Sequence, residues 1–452
     1  MMNQAPLMLS VSGLRGIVGA SLTSDVAARY GAALGRWFSQ QCGGDAHIVI
    51  GRDSRQSGPL IQRHVVTGLQ HAGCRVTAIG VATTPGTAVM IDHLSADGGV
   101  VITASHNPGQ WNGVKAIRAA GCAPDADETQ QIITAFRDGP DQNILPLSDH
   151  DPGVNTDVVD VHAKLILRHV DVDAIRGRNV KVVLDSVCGA GGPETARLLD
   201  ALGAQVVHLH AEPTGDFPHM PEPTKDNLTS LCDAVREHGA DLGLAQDPDA
   251  DRLAIVAGDG TYIGEEYTLA LCARHVLRQG EVAAANLSTS RMLDDVAAQC
   301  GATVVRTKVG EANVAAAMRD RGATIGGEGN GGVIWPKICY VRNSLAGIAL
   351  LLELLAQRDA TLDELIDALP RYAMVKQKLD ARRELIDTLG DAMRQAFPDV
   401  DRDEQDGVRL DWPDRWVHVR PSNTEPIIRI IAEAPTEKDA DELVQQVRGA
   451  LG

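Results

Sequence analysis

Residues 100–117, VVITASHNPGQWNGVKAI, run an apolar stretch into Ser105-His106, break at Asn-Pro-Gly and resume toward Lys115. A hydroxyl beside an imidazole at a strand tip is a place for a nucleophile. A second loop, DPDADR (247–252), alternates Asp247, Asp249 and Asp251. On an extended loop three such carboxylates can converge on one hard cation, and without one they repel. An EF-hand does not fit, because positions six and twelve counted from Asp247 are Arg252 and Gly258 where Gly and Glu are needed. The competing reading is a solvated acidic turn. Apolar flanks and the adjacent Arg252 favour a metal, and Mg²⁺ suits a site with few protein ligands and room for phosphate oxygens.

Two more loops leave both readings open. RPSNTEPIIRI (420–430) crowds Arg420, Ser422, Asn423, Thr424 and Arg429 into a turn. Hydroxyls, amides and two guanidinium forks suit a dianionic phosphate, but a proline-bounded hairpin with a surface arginine pair has the same composition. GGEGNGG (326–332) brackets Glu328 and Asn330 with glycines. That suits close approach to a polyol, or a plain glycine connector. There is no Gly-x-x-x-x-Gly-Lys-Ser/Thr nucleotide loop. In VVLDSVCGAGGPETARLL, Glu194 stands where a dinucleotide fingerprint has its third glycine, so the segment reads as a tight strand-to-helix turn. Ser105 is outside any Gly-x-Ser-x-Gly elbow.

The elements that carry these loops alternate. Strand-like runs at 47–53, 75–80, 99–105 and 181–186 are separated by helical patterns, which predicts α/β layers with mostly parallel strands. SADGGVVITASHNPGQWNGVKAI, GADLGLAQDPDADRLAIV and GATIGGEGNGGVIW share one plan: a turn, a strand, a polar loop and a returning strand. They read as one α/β unit used three times, with a different loop at each carboxyl edge, where open α/β sheets bind ligands. The last ~80 residues predict a helix, strands at GVRLDW, RWVHVRP and IIRIIAEA, and a closing helix, an α+β domain. Domain limits are expected at 1–153, 154–258, 259–369 and 370–452.

The chain has 452 residues, net charge −18 and 3% aromatics. That length predicts several domains. The dispersed acidity argues against nucleic acid or an anionic membrane as partner, while a small anionic substrate needs only local basic groups. Eight scattered cysteines, none in a Cys-x-x-Cys pair, read as free thiols of a reducing compartment. No signal peptide or ~18-residue apolar span is visible. A cytoplasmic protein is expected.

Taken together and in order, TASHNP with NGVK, DPDADR, GGEGNGG and RPSNTEP resemble the α-D-phosphohexomutase family (phosphoglucomutase, phosphomannomutase and phosphoglucosamine mutase) along essentially the whole chain from SGLRG (12–16). The branch of archaeal-type phosphohexomutases and phosphoglucosamine mutases is the most similar. The resemblance implies three related mixed α/β domains and a C-terminal domain like the TATA-box-binding protein, around one central cleft. It implies that Ser105 carries a phosphoryl group and that Asp247, Asp249 and Asp251 hold one Mg²⁺ with an oxygen of that phosphoserine. Arg15, His106, Lys115 and Arg252 match positions lining the phosphoserine pocket. Lys308, Glu328 and Asn330 match sugar-facing positions, and Arg420, Ser422, Asn423, Thr424 and Arg429 match the grip on the non-reacting phosphate. The chain departs from the family in LSVSGLRG, in Asn330 and in Gly332.

The implied reaction is a two-step exchange between hexose 1-phosphate and hexose 6-phosphate. Phosphoserine gives its group to the free hydroxyl, and the 1,6-bisphosphate turns over and returns its other phosphate; that bisphosphate is also the expected activator. Lys115, with Arg15, is the expected handler of protons, and His106 orients the loop. Glu311, in RTKVGE, is expected to pair with the ammonium of an amino sugar. Glucosamine, mannose or glucose phosphate is the expected substrate, and a monomer or homodimer the expected state. A serine-dependent sugar phosphomonoesterase and a non-catalytic sugar-phosphate binder are the alternatives.

Overall fold

The computed structural model describes residues 7–139, 154–380, 383–422 and 427–451, with only the backbone of Arg383 and Glu384. Asn423 and Thr424 of the expected phosphate grip lie outside the described residues. Among the described residues the strands form four sheets. The first contains β1 (Met8–Ser10), β2 (Gly13–Ile17), β3 (His47–Arg52), β4 (Arg75–Val81), β5 (Gly98–Ile102) and β6 (Trp111–Arg118), with α1 (Ser24–Cys42), α2 (Gly58–His71), α3 (Thr84–His93) and α4 (Ala126–Arg137). After α5 (Val158–Leu167) and α6 (Val172–Arg178), the second uses β7 (Lys181–Asp185), β8 (Gln205–Leu209), β9 (Leu242–Gln246) and β10 (Leu253–Ala257), with α7 (Gly191–Ala201) and α8 (Thr229–His238). The third follows α9 (Glu266–Val276) and uses β11 (Val282–Asn286), β12 (Thr303–Thr307), β13 (Ile325–Glu328) and β14 (Gly332–Ile334). Its helices are α10 (Met292–Gln299), α11 (Glu311–Arg321), α12 (Ser344–Arg358) and α13 (Leu362–Asp367).

The threefold echo in the sequence is a repeated topology. Each sheet contains the same four-strand run: β6-β5-β3-β4, β10-β9-β7-β8 and β14-β13-β11-β12. In every run the first pairing is antiparallel and the next two are parallel. The polar loops are the returns before those antiparallel strands. Strands such as β5 (GGVVI) and β10 (LAIVA) are buried along their whole length, as strands covered on both faces must be.

One apolar cluster runs from Val49 through Leu184, Leu253 and Ala285 to Leu369, so the three units share a core. Its beam is α12, whose LAGIALLLELL stretch is buried on all sides and touches α5, α6, α7, α9 and β10. A helix apolar all round has no face to give to solvent.

The fourth sheet is antiparallel, ordered β15-β19-β18-β17-β16. It comprises β15 (Ala373–Asp380), β16 (Asp401–Asp403), β17 (Val408–Asp411), β18 (Trp416–Pro421) and β19 (Ile427–Ala434), with α14 (Arg383–Ala396) and α15 (Glu437–Leu451). It has its own core, from Leu389 to Leu451. The sequence reading found β17, β18 and β19 and missed β15 and β16. The signal for β15 was its alternation: Lys376 and Lys378 point outward, as lysines do on a protected edge strand. All eight cysteines are free thiols. Among the described residues no helix is long and apolar enough to cross a membrane.

Candidate active site

Ser105 sits just beyond β5 and is almost fully buried, with φ of 49°. A side-chain-bearing residue holds the left-handed region only when its surroundings over-determine it. Here they do so through Arg55. Its guanidinium is buried and spends all five donors: on Asp53 Oδ2 (3.0 Å) and on the carbonyls of Ser105 (2.5 Å), Asn107 (2.6 Å), Pro108 (2.9 Å) and Trp111 (3.2 Å). Asp53 in turn accepts from the Thr103 hydroxyl at 2.7 Å, whose oxygen accepts from the Ser105 N–H at 2.9 Å. The GRDSR segment (51–55) at the end of β3 therefore shapes the serine loop. Sequence reading took it only as a strand; the signal was a charged pair inside an apolar element.

The Ser105 hydroxyl donates to Asp247 Oδ2 at 2.7 Å, bringing the first two loops into contact. Asp247 Oδ1 accepts from the N–H groups of Asp251 (3.1 Å) and Arg252 (3.2 Å). Asp249 Oδ2 accepts from the Thr84 hydroxyl (2.6 Å) and Lys115 Nζ (2.7 Å). Asp251 Oδ2 accepts from Arg342 Nη2 at 2.6 Å and from Lys115 at 3.4 Å. All three aspartates are buried, and a ligand oxygen from each lies within 4.8 Å of the others. Burial, then Asp251 and Asp249, push Asp247 well above the ordinary carboxylate range. Asp251 lies below it, because Arg342, Lys115 and Arg252 outweigh the opposing burial. Asp249 Oδ1 and Asp251 Oδ1 are buried without a hydrogen-bond partner. Buried carboxylate oxygens left over in this way fit a hard divalent cation such as Mg²⁺.

The expected cations converge here. Arg15 donates to Asn107 Oδ1 at 3.0 Å and to the Ala104 carbonyl at 3.4 Å, and its Nε is buried without a hydrogen bond. Arg252 lies 3.5 Å from Glu222 and 3.9 Å from Asp251. His106 Nδ1 is 3.4 Å from the Ser105 hydroxyl and Nε2 3.8 Å from Glu222. Burial, with Arg252 and Arg15, pushes His106 down to about 2, so its ring is neutral. Lys115 is the cation expected to handle protons. Burial opposes its charge, but Asp249 and Asp251 raise its pKa above the ordinary lysine value. It stands as an ammonium, the form that can hand a proton on.

The third loop is tied in by Arg342, which sequence reading overlooked. Its Nη1 donates to Glu328 Oε2 and its Nη2 to Asp251, while Nε forms an ion pair with Glu311 at 2.9 Å. Glu328 Oε1 also accepts from Asn286 Nδ2 (2.8 Å) and the Gly310 N–H (3.3 Å). Both expected sugar-facing carboxylates are thus engaged within the protein, and Glu311 is bound to a guanidinium where an amino sugar was expected. Asn330 Oδ1 accepts from the Gly332 N–H, and Lys308 is exposed. A cleft between these groups is lined by Arg15, Lys115, Glu311 and Arg342.

In the fourth sheet Arg420 and Arg429 face one another in register. Arg420 is 3.4 Å from Asp406, which also accepts from the Val309 N–H at 2.9 Å. The Ser422 N–H donates to the Ile427 carbonyl at 2.8 Å.

Comparison with known proteins matches four family models in chain order. They are the phosphoglucomutase/phosphomannomutase α/β/α domains I (residues 8–142), II (160–260) and III (265–372) and the C-terminal domain (374–450). The phosphoglucomutase/phosphomannomutase of Thermococcus kodakarensis is 36% identical over 439 residues, 96% of each chain. A Methanopyrus kandleri protein named a probable phosphoglucosamine mutase is 37% identical over 444 residues, 96% of this chain and 95% of its own. The crystal structure of a phosphoglucomutase/phosphomannomutase family protein from Burkholderia thailandensis superposes with a TM-score of 0.85 at 30% identity, covering 98% of both chains. With a buried serine against three aspartates and all four models matched in sequence, the chain belongs to the phosphoglucomutase/phosphomannomutase family of phosphohexomutases.

Proposed function

We propose that the chain interconverts the 1- and 6-phosphates of glucosamine, mannose or glucose through phosphoserine at Ser105 and a hexose 1,6-bisphosphate. The observation that carries this reading is the 2.7 Å contact of Ser105 Oγ with Asp247 inside a buried carboxylate triad ringed by Arg15, Lys115, Arg252 and Arg342. A serine oxygen there leaves water and meets positive charge on several sides, the setting for a phosphoryl ester that must form and break. Held by Asp247, Asp249 and Asp251, Mg²⁺ would supply Lewis-acid withdrawal of charge from the transferring group.

In the first transfer the free sugar hydroxyl attacks the phosphorus on Ser105, the Oγ–P bond breaks, and Ser105 regains its proton as the sugar oxygen loses one. The bisphosphate reverses its orientation. Ser105 Oγ then attacks the other phosphate, and the second sugar oxygen takes a proton on leaving. Arg15 and Arg252 neutralise the oxygens of the moving group, and neutral His106 packs beside it. Arg420, Ser422, Asn423, Thr424 and Arg429 hold the resting phosphate, while Lys308, Glu328 and Asn330 meet the sugar. Two phosphate sites are what a mutase needs; a phosphomonoesterase needs one.

A turnover panel of glucosamine, mannose and glucose 1-phosphates with Mg²⁺ tests this. Each accepted sugar should yield its 6-phosphate. Release of inorganic phosphate instead would establish the esterase, and saturable binding without turnover a non-catalytic binder. Glu311→Gln separates the substrates: a fall in glucosamine relative to glucose turnover places Glu311 on the ammonium, and an unchanged ratio confines it to Arg342.

A further inference from the structure

A second cluster lies in the second unit, apart from the aspartate triad. It joins Asp185, at the end of β7, to His210 and His219 in the segment after β8. The Asp185 side chain is 1% exposed, and the two rings are 29% and 17% exposed. Asp185 Oδ1 lies 3.0 Å from His210 Nδ1, and Oδ2 lies 3.1 Å from His219 Nε2. The far side of the His219 ring decides what this contact is. Its Nδ1 is 2.9 Å from the Met220 carbonyl oxygen, which can only accept, so Nδ1 carries the proton. The Nε2 of a neutral ring then turns a lone pair toward a carboxylate oxygen, acceptor against acceptor. A positive centre has to lie between them.

We propose that Asp185, His210 and His219 form a second divalent-cation site, suited to Zn²⁺. A ligating imidazole typically donates its other N–H to a backbone carbonyl, as His219 does to Met220. Tetrahedral bonds of about 2.0–2.1 Å give ligand–ligand edges of about 3.3 Å, close to the two short separations here. Two imidazoles and one carboxylate make a borderline donor set, whereas the triad at 247–251 offers only oxygens and suits a hard ion. The two clusters should therefore sort metals between them.

The consequence reaches the serine loop. The segment from His210 to Pro223 lays Phe217 under the Arg55 guanidinium, 5.0 Å from its ring centre, and Asp216 accepts from Gln56. It then presents Glu222 to His106 at 3.8 Å and to Arg252 at 3.5 Å. A cation binding His210 and His219 to Asp185 fastens both ends of the loop that carries Phe217, and with it one wall of the candidate active site.

The test uses the full chain, stripped with chelator and dialysed against Zn²⁺ in excess Mg²⁺, with bound zinc measured by elemental analysis. One Zn²⁺ per chain is expected, and Co²⁺ in its place should show the intense visible bands of a four-coordinate ion. His219→Gln and His210→Gln should each weaken binding by more than the about 10–100-fold that losing an outer partner costs. Asp249→Asn should leave it intact. Thermal unfolding of each variant without zinc checks that it folds. Zinc held equally by His219→Gln, zinc lost in Asp249→Asn, or no zinc on the parent chain would each overturn the site. So would nitrogen NMR showing a doubly protonated His219 at neutral pH with Zn²⁺ present, since a second proton would then be the positive centre.

Discussion

The three repeated units and the tail domain are held in the molecule by different forces. The units share one apolar core threaded by α12, and their loops meet through buried ion pairs at Arg342. The tail has a separate core and is joined by polar contacts. Arg291 N–H donates to Glu433 at 2.9 Å, its Nη1 donates to the Trp412 carbonyl at 3.2 Å, and Ser288 meets His418 at 2.8 Å. Apolar burial resists separation over its whole area, whereas hydrogen bonds at an interface exchange readily for water. The body is thus built to keep serine, aspartates and cations in register, while the tail is attached through contacts that give way more easily.

The largest effect expected from this division is on chemistry in the body. Ser105→Ala should cut mutase turnover by about 10⁴-fold or more, with no phosphate adduct in the intact mass and little change in melting temperature. Residual turnover near the parent value would move the chemistry elsewhere. Next, Arg342→Met should lower unfolding free energy by about 3–5 kcal/mol in urea titration, because Glu311 and Glu328 would be left buried without their paired guanidinium and Asp251 would lose one of its counter-charges. A loss under about 1 kcal/mol would mean that the loops are held by packing instead.

Acid should act first on the tail contact. His418 is neutral in the fold: Nδ1 accepts from Ser288, Nε2–H donates to the Asp406 carbonyl, and burial pushes its pKa down to about 4. The unfolded chain takes up that proton near the ordinary histidine value of 6.5, so stability falls as pH drops from there toward 4. The slope is about 1.4 kcal/mol per pH unit for one group. Hydrogen exchange at pH 5 should show the fourth sheet loosening before the other three; uniform or body-first exchange would contradict the polar-hinge picture. The smallest effect belongs to the phosphate grip. Arg420→Ala should raise KM by about 10–100-fold, the worth of one charge-assisted contact, while lowering kcat less. A fall in kcat at unchanged KM would place Arg420 in the transfer step.

Much of the site was legible because its chemistry is local in sequence. The spacing of Asp247, Asp249 and Asp251, with apolar flanks and Arg252 beside them, pointed to a cation, and three polar loops recurring at the same place in one plan pointed to one edge. What was missed lies where a residue acts through a distant one. Arg55 shapes a loop some fifty positions away, Glu222 reaches His106 from the next unit, and Arg342 joins two loops while lying in neither. Glu194 was set aside as a misfit to a nucleotide fingerprint, yet its carboxylate accepts from Thr83 N–H (2.8 Å) and hydroxyl (2.9 Å) and meets His162 at 2.7 Å, linking the first unit to the second. Nothing in the local sequence marks His210 and His219, because their partner, Asp185, is more than twenty residues away.

By itself the sequence determined the elements, their repetition and the kinds of chemical group at each loop, since periodicity and local spacing are properties of neighbours along the chain. Only the tertiary structure decided which charges neutralise which. Burial makes an unpaired charge costly, and the partner that satisfies it is chosen by proximity in space: Lys115 stays an ammonium because Asp249 and Asp251 come from another sheet, and Glu311 meets Arg342 because two returning segments of the third unit converge.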